Sequence, residues 1–108
     1  MTQAITVITP RSDGDLKKDK VVEEVFDGPF RKLLAIRLRN NAILSKHSST
    51  EPITVFCLSG NGTFYAGSDL KESQKLSAGT LITLDANVEH EVTAEPNIHI
   101  LVTKFKAS

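Results

Sequence analysis

Apolar and polar residues alternate along short stretches of the chain, with a period close to two. Residues 31–39 place aliphatic side chains on one side and Arg37 and Arg39 on the other. Such a segment is typical of a strand with one buried face and one wetter face. Residues 53–59 are almost continuously apolar, as expected for a strand that is covered on both faces. The pattern predicts strands in the middle of the chain.

Further short segments also have the composition of strands or of the turns between them. Residues 21–26 also fit one face of a helix, but their β-branched residues favour a strand. Two glycines predict that residues 59–62 close a hairpin. The polar residues 11–20 are expected to form a loop. The other strands are expected at residues 4–9, 62–66, 81–84, 90–94 and 99–105.

The composition agrees with an all-β fold. Val, Ile and Thr make up 26 of the 108 residues, and these β-branched residues favour extended backbone. Turn-forming residues recur at close spacing, which is typical of a sandwich or barrel. The length is that of one domain. We expect residues 1–30 to form N-terminal strand structure and a polar loop within this domain, and residues 31–108 to form the barrel.

Charge and cysteine content exclude several classes of function. The 13 basic and 13 acidic residues give a formal net charge of zero, so a nucleic-acid-binding surface is not expected. No apolar run reaches the roughly 18 residues of a membrane span. The start of the chain lacks the pattern of a secretory signal, so a cytoplasmic location is expected. The single cysteine, Cys57, leaves no internal disulfide and no Cys-rich zinc site.

The histidines are the most informative candidates for chemistry. His47, His90 and His99 lie at or near predicted strands, and imidazole is both a common metal ligand and a base near neutral pH. The interior of a small barrel is the natural place for a pocket. Tyr65 is the single tyrosine, and it either supplies a hydroxyl to that pocket or lies on the outer face.

Residues 31–106 resemble the cupin family. The first cupin motif, G-x5-H-x-H-x(3,4)-E-x6-G, corresponds to residues 41–60, and the second, G-x5-P-x-G-x2-H-x3-N, corresponds to residues 79–94. The spacing matches in both. The resemblance implies a double-stranded β-helix, or jelly-roll, barrel. The marked positions are occupied by Asn41, His47, Ser49, Ile53 and Gly60 in the first motif and by Gly79, Asp85, Asn87, His90 and Ala94 in the second.

Two of the four metal ligands that cupins usually carry are replaced. The resemblance implies that His47 and His90 ligate a divalent ion such as Fe, Mn, Ni or Zn. Ser49 stands in place of the second histidine, however, and Ile53 stands in place of the glutamate. Two imidazoles with water hold such an ion weakly.

A third metal ligand would have to come from elsewhere in the chain. Glu51 is the nearest carboxylate, but it reaches the pocket only if its loop folds inward. Pro52 restricts Glu51 to extended conformations. His99 is the other candidate, so the sequence leaves metal binding open.

Alternation from Ile53 predicts which of its neighbours face the pocket. If Ile53 points inward, Val55 and Cys57 do so as well, and the pocket floor is apolar. Cys57 is then expected to be a packing residue with a raised thiol pKa. Ser49 and His99 complete the candidate lining.

Three functions are compatible with this pocket. The first is a metal-free site in which His47 and His90 orient a small molecule through its carboxylate, carbonyl or hydroxyl group. The second is a metal-dependent enzyme of the dioxygenase or isomerase type. The third is a metal-free epimerase or isomerase in which one of these histidines acts with Tyr65.

A homodimer is the expected assembly. Residues 4–9 are rich in β-branched side chains and are separated from the barrel by a polar loop. Such a segment is suited to pairing with the sheet of a second copy.

Overall fold

The computed structural model describes residues 4–9 and 18–108. Seven strands make up the regular structure of these residues, and every pairing between strands is antiparallel, which confirms the all-β prediction. No helix in this part of the chain is long and apolar enough to cross a membrane. In chain order the strands are β1 (Lys20–Gly28), β2 (Arg31–Leu38), β3 (Ile43–His47), β4 (Ile53–Ala66), β5 (Glu72–Leu76), β6 (Leu81–Leu84) and β7 (His90–Phe105).

The two longest strands, β4 and β7, connect the whole sheet because they pair with each other along both of their halves. The first half of β4 also pairs with β6, and its second half pairs with β5. The second half of β7 also pairs with β2, which pairs with β1, and its first half pairs with β3. Two layers of sheet therefore share the long strands and enclose the core between them.

The predicted hairpin at residues 59–62 is wrong, because these residues lie inside the continuous strand β4. Both halves of β4 find hydrogen-bond partners on β7, so the chain bends there without reversing. Two bulges interrupt the register in the middle of the strand. Gly60 has a φ of 84° and serves this bend. The strands predicted at residues 90–94 and 99–105 are likewise joined, in β7.

The strand predicted at residues 4–9 is also wrong. This segment lies beside Phe26, Arg31 and Leu33, so it packs against side chains of β1 and β2 and makes no ladder with them. Ile5 and Val7 remain 72% and 81% exposed. A strand needs a partner edge for its backbone hydrogen bonds, and residues 4–9 have none in the described chain.

Two strands were not predicted, and one predicted loop lies mostly outside the described residues. β5 has the sequence ESQKL, and only Leu76 in it is buried. β3 ends at His47. Both are short and lack a clear apolar alternation. Residues 11–17 of the predicted loop are outside the described residues, and Lys20 already belongs to β1.

Side chains on the inner faces of the two layers form one apolar core. Arg37 points to the opposite, outer face of β2, as the alternation predicts, yet it is only 9% exposed. The expectation of a wet environment for Arg37 is therefore wrong. The largest fully buried side chains are those of Leu38, Leu76, Ile100, Val55, Val92 and Cys57.

Candidate functional site

A cavity of about 150 Å³ lies between the two layers, and its walls are mostly aliphatic. Strands β1, β2, β3, β4 and β7 all contribute to it. We call it the inner cavity. Its apolar walls are formed by Val22, Leu34, Ile36, Leu44, Ile53, Val55, Phe64, Val92, Ile100 and Val102, and its polar groups come from His47, Ser49, His90 and Lys104.

Strand pairing brings two histidines together at this cavity. His47 ends β3, His90 begins β7, and the two residues are register partners. Their ring centroids lie 4.2 Å apart with an angle of 60° between the ring planes. His90 is 4% exposed, whereas His47 is solvent-exposed. His47 therefore marks the side on which the cavity opens.

Both imidazoles are oriented by backbone carbonyl groups. His47 Nδ1 lies 2.7 Å from the carbonyl oxygen of Ser45, and His90 Nδ1 lies 3.0 Å from that of Val88. A carbonyl oxygen only accepts, so Nδ1 carries the proton in each ring. In the neutral form, the Nε2 atom of each ring then presents a lone pair.

The environment of His90 favours its neutral form. Burial lowers the pKa of this imidazole, and the positive charges of His47 and Lys104 lower it further, whereas the hydrogen bond to Val88 opposes the shift. Phe64 stacks on the ring, with the centroids 5.6 Å apart and the planes inclined by 12°. His90 is therefore a fixed, neutral acceptor near pH 7.

Ser49 brings a hydroxyl group to the inner cavity from the segment between β3 and β4. Its carbonyl oxygen accepts a hydrogen bond from the backbone N–H of Asn87 at 2.7 Å, which ties the two motif regions together. Its Oγ accepts from the backbone N–H of Glu51 at 3.2 Å. The hydroxyl proton of Ser49 is then available to a ligand.

Lys104 is a cavity residue that the sequence reasoning did not single out. It lies on β7 as the register partner of Ile53, and its side chain lines the inner cavity. A signal was present in the sequence, because Ile100, Val102 and Lys104 share one face of an alternating strand. Lys104 adds a positive charge beside the two histidines.

Of the other predicted pocket residues, Ile53 and Val55 line the inner cavity. Cys57 is fully buried in the adjoining core, and burial raises the pKa of its thiol. Tyr65 does not line the inner cavity. It lies between Phe64 and Ala66, which face the core, and so points to the opposite face. The structure does not bring Tyr65 to the histidines.

His99 lies away from the inner cavity, on the outer face of β7. Its neighbours Ile98 and Ile100 point into the core, and its side chain lies beside Arg37 in a separate cleft. Burial lowers the pKa of His99 and so does the charge of Arg37, whereas Glu23 opposes the shift. The structure thus separates His99 from His47 and His90.

The residues at the inner cavity do not fit a divalent metal ion of the kind that the sequence motifs imply. Among residues 4–9 and 18–108, no three or more His, Cys, Asp or Glu side chains are grouped as a metal site. Ile53 is hydrocarbon, and the Glu51 carboxylate accepts a hydrogen bond from the hydroxyl of Thr50. Octahedral ions of this class require more protein ligands than two imidazoles.

Comparison with known proteins identifies the fold. No protein-family model and no curated protein matches the sequence, but solved structures do. An RmlC-like cupin family protein with a double-stranded β-helix fold from Methanocaldococcus jannaschii is 19% identical, with a TM-score of 0.78, and the match covers 96% of this chain and 93% of that chain. The chain therefore has the cupin fold, as the two motifs indicated.

Two further structures show the same likeness. An RmlC-like cupin protein from Desulfovibrio desulfuricans is 21% identical, with a TM-score of 0.72 and coverage of 95% of this chain and 94% of that one. A conserved protein of unknown function from Streptococcus pyogenes is 16% identical, with a TM-score of 0.75 and coverage of 98% and 99%. Identities this low establish a common fold, and the function has to be argued from the site.

Proposed function

We propose that this chain binds a small organic molecule with an apolar body and a single carboxylate group in the inner cavity, and that it does so without a metal ion. The observation that carries this proposal is the makeup of the cavity. Ten apolar side chains form its walls, and the four polar side chains are His47, Ser49, His90 and Lys104. Ligand pockets are typically apolar with a few placed polar groups.

The size of the cavity limits the body of the ligand. A volume of about 150 Å³ is comparable to that of a dry apolar protein cavity known to bind benzene. A ligand body of about one aromatic ring, or a similar short hydrocarbon, matches this space. Burying such a body contributes about 25 cal/mol for each Å² of apolar surface removed from water.

The charge of Lys104 favours a carboxylate over the neutral carbonyl and hydroxyl groups that the histidines alone would accept. A charge-assisted hydrogen bond from the half-buried Lys104 to a carboxylate is stronger than one to a neutral oxygen. The Ser49 hydroxyl adds a hydrogen-bond donor. The Nε2 atoms of His47 and His90 accept when neutral and donate when protonated, so binding of a carboxylate should be accompanied by proton uptake.

Binding is preferred over the two enzymatic alternatives because of what surrounds the histidine pair. The described residues supply no third metal ligand at the inner cavity. Tyr65, the partner needed for acid–base chemistry, is not among the cavity residues. The side chains present are suited to holding and orienting a ligand.

The test is isothermal titration calorimetry with benzoate and with its neutral analogue benzamide, in EDTA. Benzoate should bind more tightly than benzamide. Lys104→Gln should weaken benzoate binding by about tenfold, in keeping with one lost charge-assisted hydrogen bond, and leave benzamide unchanged. Equal affinities for the two ligands, or no effect of Lys104→Gln, would overturn the assignment of a carboxylate.

A homodimer is part of the proposal. Ile5 and Val7 are exposed in a β-branched segment that makes no ladder within its own chain, and pairing with a second copy would satisfy its backbone groups. Sedimentation equilibrium should give twice the chain mass. Replacing Ile5 and Val7 by lysine should give a monomer, and a wild-type chain that is monomeric at high concentration would contradict the proposal.

A further inference from the structure

A second concave site lies on the outer face of the sheet, across β2, β7 and the bend of β4. We call it the outer cleft. It has a volume of about 270 Å³ and is more polar than the inner cavity. Core residues of β2 and β7 separate the two. The outer cleft is lined by Arg37, Leu38, Arg39, Ser59, Gly60, Asn97, Ile98 and His99.

Two buried polar side chains in the outer cleft lack partners. His99 is 6% exposed, and its Nε2 atom is buried without a hydrogen bond. Arg37 is 9% exposed and forms no ion pair among the described residues, and its guanidinium nitrogens are not among the buried atoms that lack a partner, so they are open to the cleft. A buried imidazole nitrogen without a hydrogen bond is costly, and a guanidinium group at the floor of a cleft is well suited to bind an anion through two donors. Both groups therefore call for an acceptor from outside the chain.

The remaining polar groups of the outer cleft also supply donors. The Oδ1 atom of Asn97 accepts a hydrogen bond from the backbone N–H of Asn40 at 3.1 Å. This bond fixes the side-chain amide so that its NH₂ group is free to donate. Ser59 contributes a hydroxyl group. Oxyanions are recognised by such sets of donors around an arginine fork.

No acidic side chain lines the outer cleft in the described residues. Glu23, on the neighbouring strand β1, is near enough for its charge to act on His99. It makes no ion pair with Arg37 among the described residues. The charge of Arg37 is therefore left for a ligand to neutralise.

We propose that the outer cleft is a second binding site, specific for a small oxyanion such as a carboxylate or phosphate group. The guanidinium of Arg37 binds two oxygen atoms of the anion. His99, in the tautomer that carries its proton on Nε2, donates a further hydrogen bond, and Ser59 and Asn97 complete the donor set. This site is independent of the inner cavity and its ligand.

The test follows the backbone amide and histidine ring NMR signals of the full chain during titration with sodium phosphate and, separately, with sodium acetate. Sodium chloride keeps the ionic strength constant. We expect saturable shifts at Arg37, Ser59, Asn97 and His99 with one or both oxyanions. The comparison of phosphate with acetate identifies which group the site prefers, and a titration with chloride alone should not reproduce the shifts.

Variants then assign the binding to the named side chains. Arg37→Gln should weaken anion binding by at least about tenfold, as expected for a lost charge-assisted pair. Arg37→Lys keeps the positive charge but lacks the planar guanidinium group, so its affinity for the anion should lie between those of Arg37→Gln and the wild-type chain. Lys71→Gln, which removes a charge from an exposed side chain outside both sites, is the matched control and should bind the oxyanion as the wild-type chain does.

Three results would overturn the proposal. The first is the absence of saturable shifts in the wild-type chain, which needs no variant to fold. The second is equal binding by Arg37→Gln and wild type. The third is a set of shifts in the outer cleft that depends on protein concentration and not on anion concentration, because the cleft would then be a contact between copies of the chain.

Discussion

The imidazole rings of His47 and His90 pack edge to face across the β3–β7 pairing, with their centroids 4.2 Å apart and their planes inclined by 60°. Backbone carbonyls hold both Nδ1 atoms, so both Nε2 atoms are presented to a ligand in a fixed orientation. In a cupin with the usual motif, such a pair would belong to a metal site. Here Ser49 and Ile53 complete the surroundings instead, and the pair is better suited to an organic ligand.

Metal affinity should depend on the two replaced positions. The wild-type chain should hold Mn²⁺ or Ni²⁺ too weakly to retain it through desalting, because two imidazoles do not fill the coordination shell. The double variant Ser49→His with Ile53→Glu should bind the ion at least about 100-fold more tightly. Calorimetry measures both affinities. The control Ser49→Ala with Ile53→Leu adds no ligand, and stoichiometric metal retained by the wild-type chain would refute this prediction.

Filling the inner cavity should abolish ligand binding and leave the fold intact. Val102 lines the cavity, so Val102→Phe should occupy the space of the ligand body and lower benzoate affinity by more than about tenfold, with a change in unfolding free energy of about 1 kcal/mol or less. Leu101→Phe, next along β7 but on the outer face, is the control. Benzoate affinity that is unchanged in Val102→Phe would place the ligand elsewhere.

Stability should fall as the pH is lowered from about 7. The pKa values of His90 and His99 are both lowered by burial from the ordinary value of 6.5, so the unfolded chain takes up protons before the folded chain does. The free energy of unfolding then decreases below pH 6.5 until the folded pKa values are reached.

Urea denaturation between pH 5.5 and 7.5 measures this dependence. Asp27 and Glu95, whose carboxyl pKa values are lowered by Lys106 and Lys75 respectively, stay ionised in that range. His90→Gln and His99→Gln should each flatten the slope of stability against pH. A slope that both variants leave unchanged would show that these two histidines are not responsible.

The bend in β4 should be intolerant of any side chain at residue 60. Gly60 has a φ of 84°, and a Cβ there would lie 2.2 Å from the carbonyl oxygen of Asn97. Gly60→Ala should therefore cost at least about 3 kcal/mol, which combines backbone strain with overpacking. Gly79 has a φ of 94°, but a Cβ at that residue would meet only open space, so Gly79→Ala should cost only about 1 kcal/mol. Equal urea midpoints for Gly60→Ala and Gly79→Ala would contradict the role of Gly60 in the bend.

The sequence was sufficient for the fold class, because motif spacing and strand alternation both survive in the structure. It singled out His47 and His90 but left open whether they approach each other, and the β3–β7 register brings them together. Side-chain direction was predictable wherever the two-residue period is unbroken. The period runs through all of β7, where His90, Val92, Ile100 and Val102 point inward. Treating β7 as two strands lost this continuity, and with it the outward direction of His99 and the inward direction of Lys104.

The direction of Tyr65 could not be predicted because the period of β4 is broken. Ile53 and Val55 point inward at odd positions, but Phe64 and Ala66 do so at even positions. The bulge between Cys57 and Ser59 adds one residue to β4 and none to β7, which reverses the faces of β4 beyond it. Bulges are set by pairing with β7, and that pairing is not encoded in any local pattern.

The burial of Arg37 and the absence of a strand at residues 4–9 also depend on tertiary context. Alternation correctly places Arg37 away from the core, but only the neighbouring strands determine how much water reaches that face. A β-branched segment such as residues 4–9 forms a strand only where an edge is available. Sequence patterns report the preference of a segment and not the availability of a partner.

The most direct test of the central claim is an NMR titration of the ¹⁵N-labelled histidine side chains with benzoate at pH 7 in the presence of EDTA. We predict saturable shifts of the Nε2 resonances of His47 and His90, moving toward the values of protonated imidazole, and Arg37→Gln in the outer cleft should leave these shifts unchanged. Shifts at His47 and His90 that appear only when a divalent metal is added would contradict a metal-free carboxylate site.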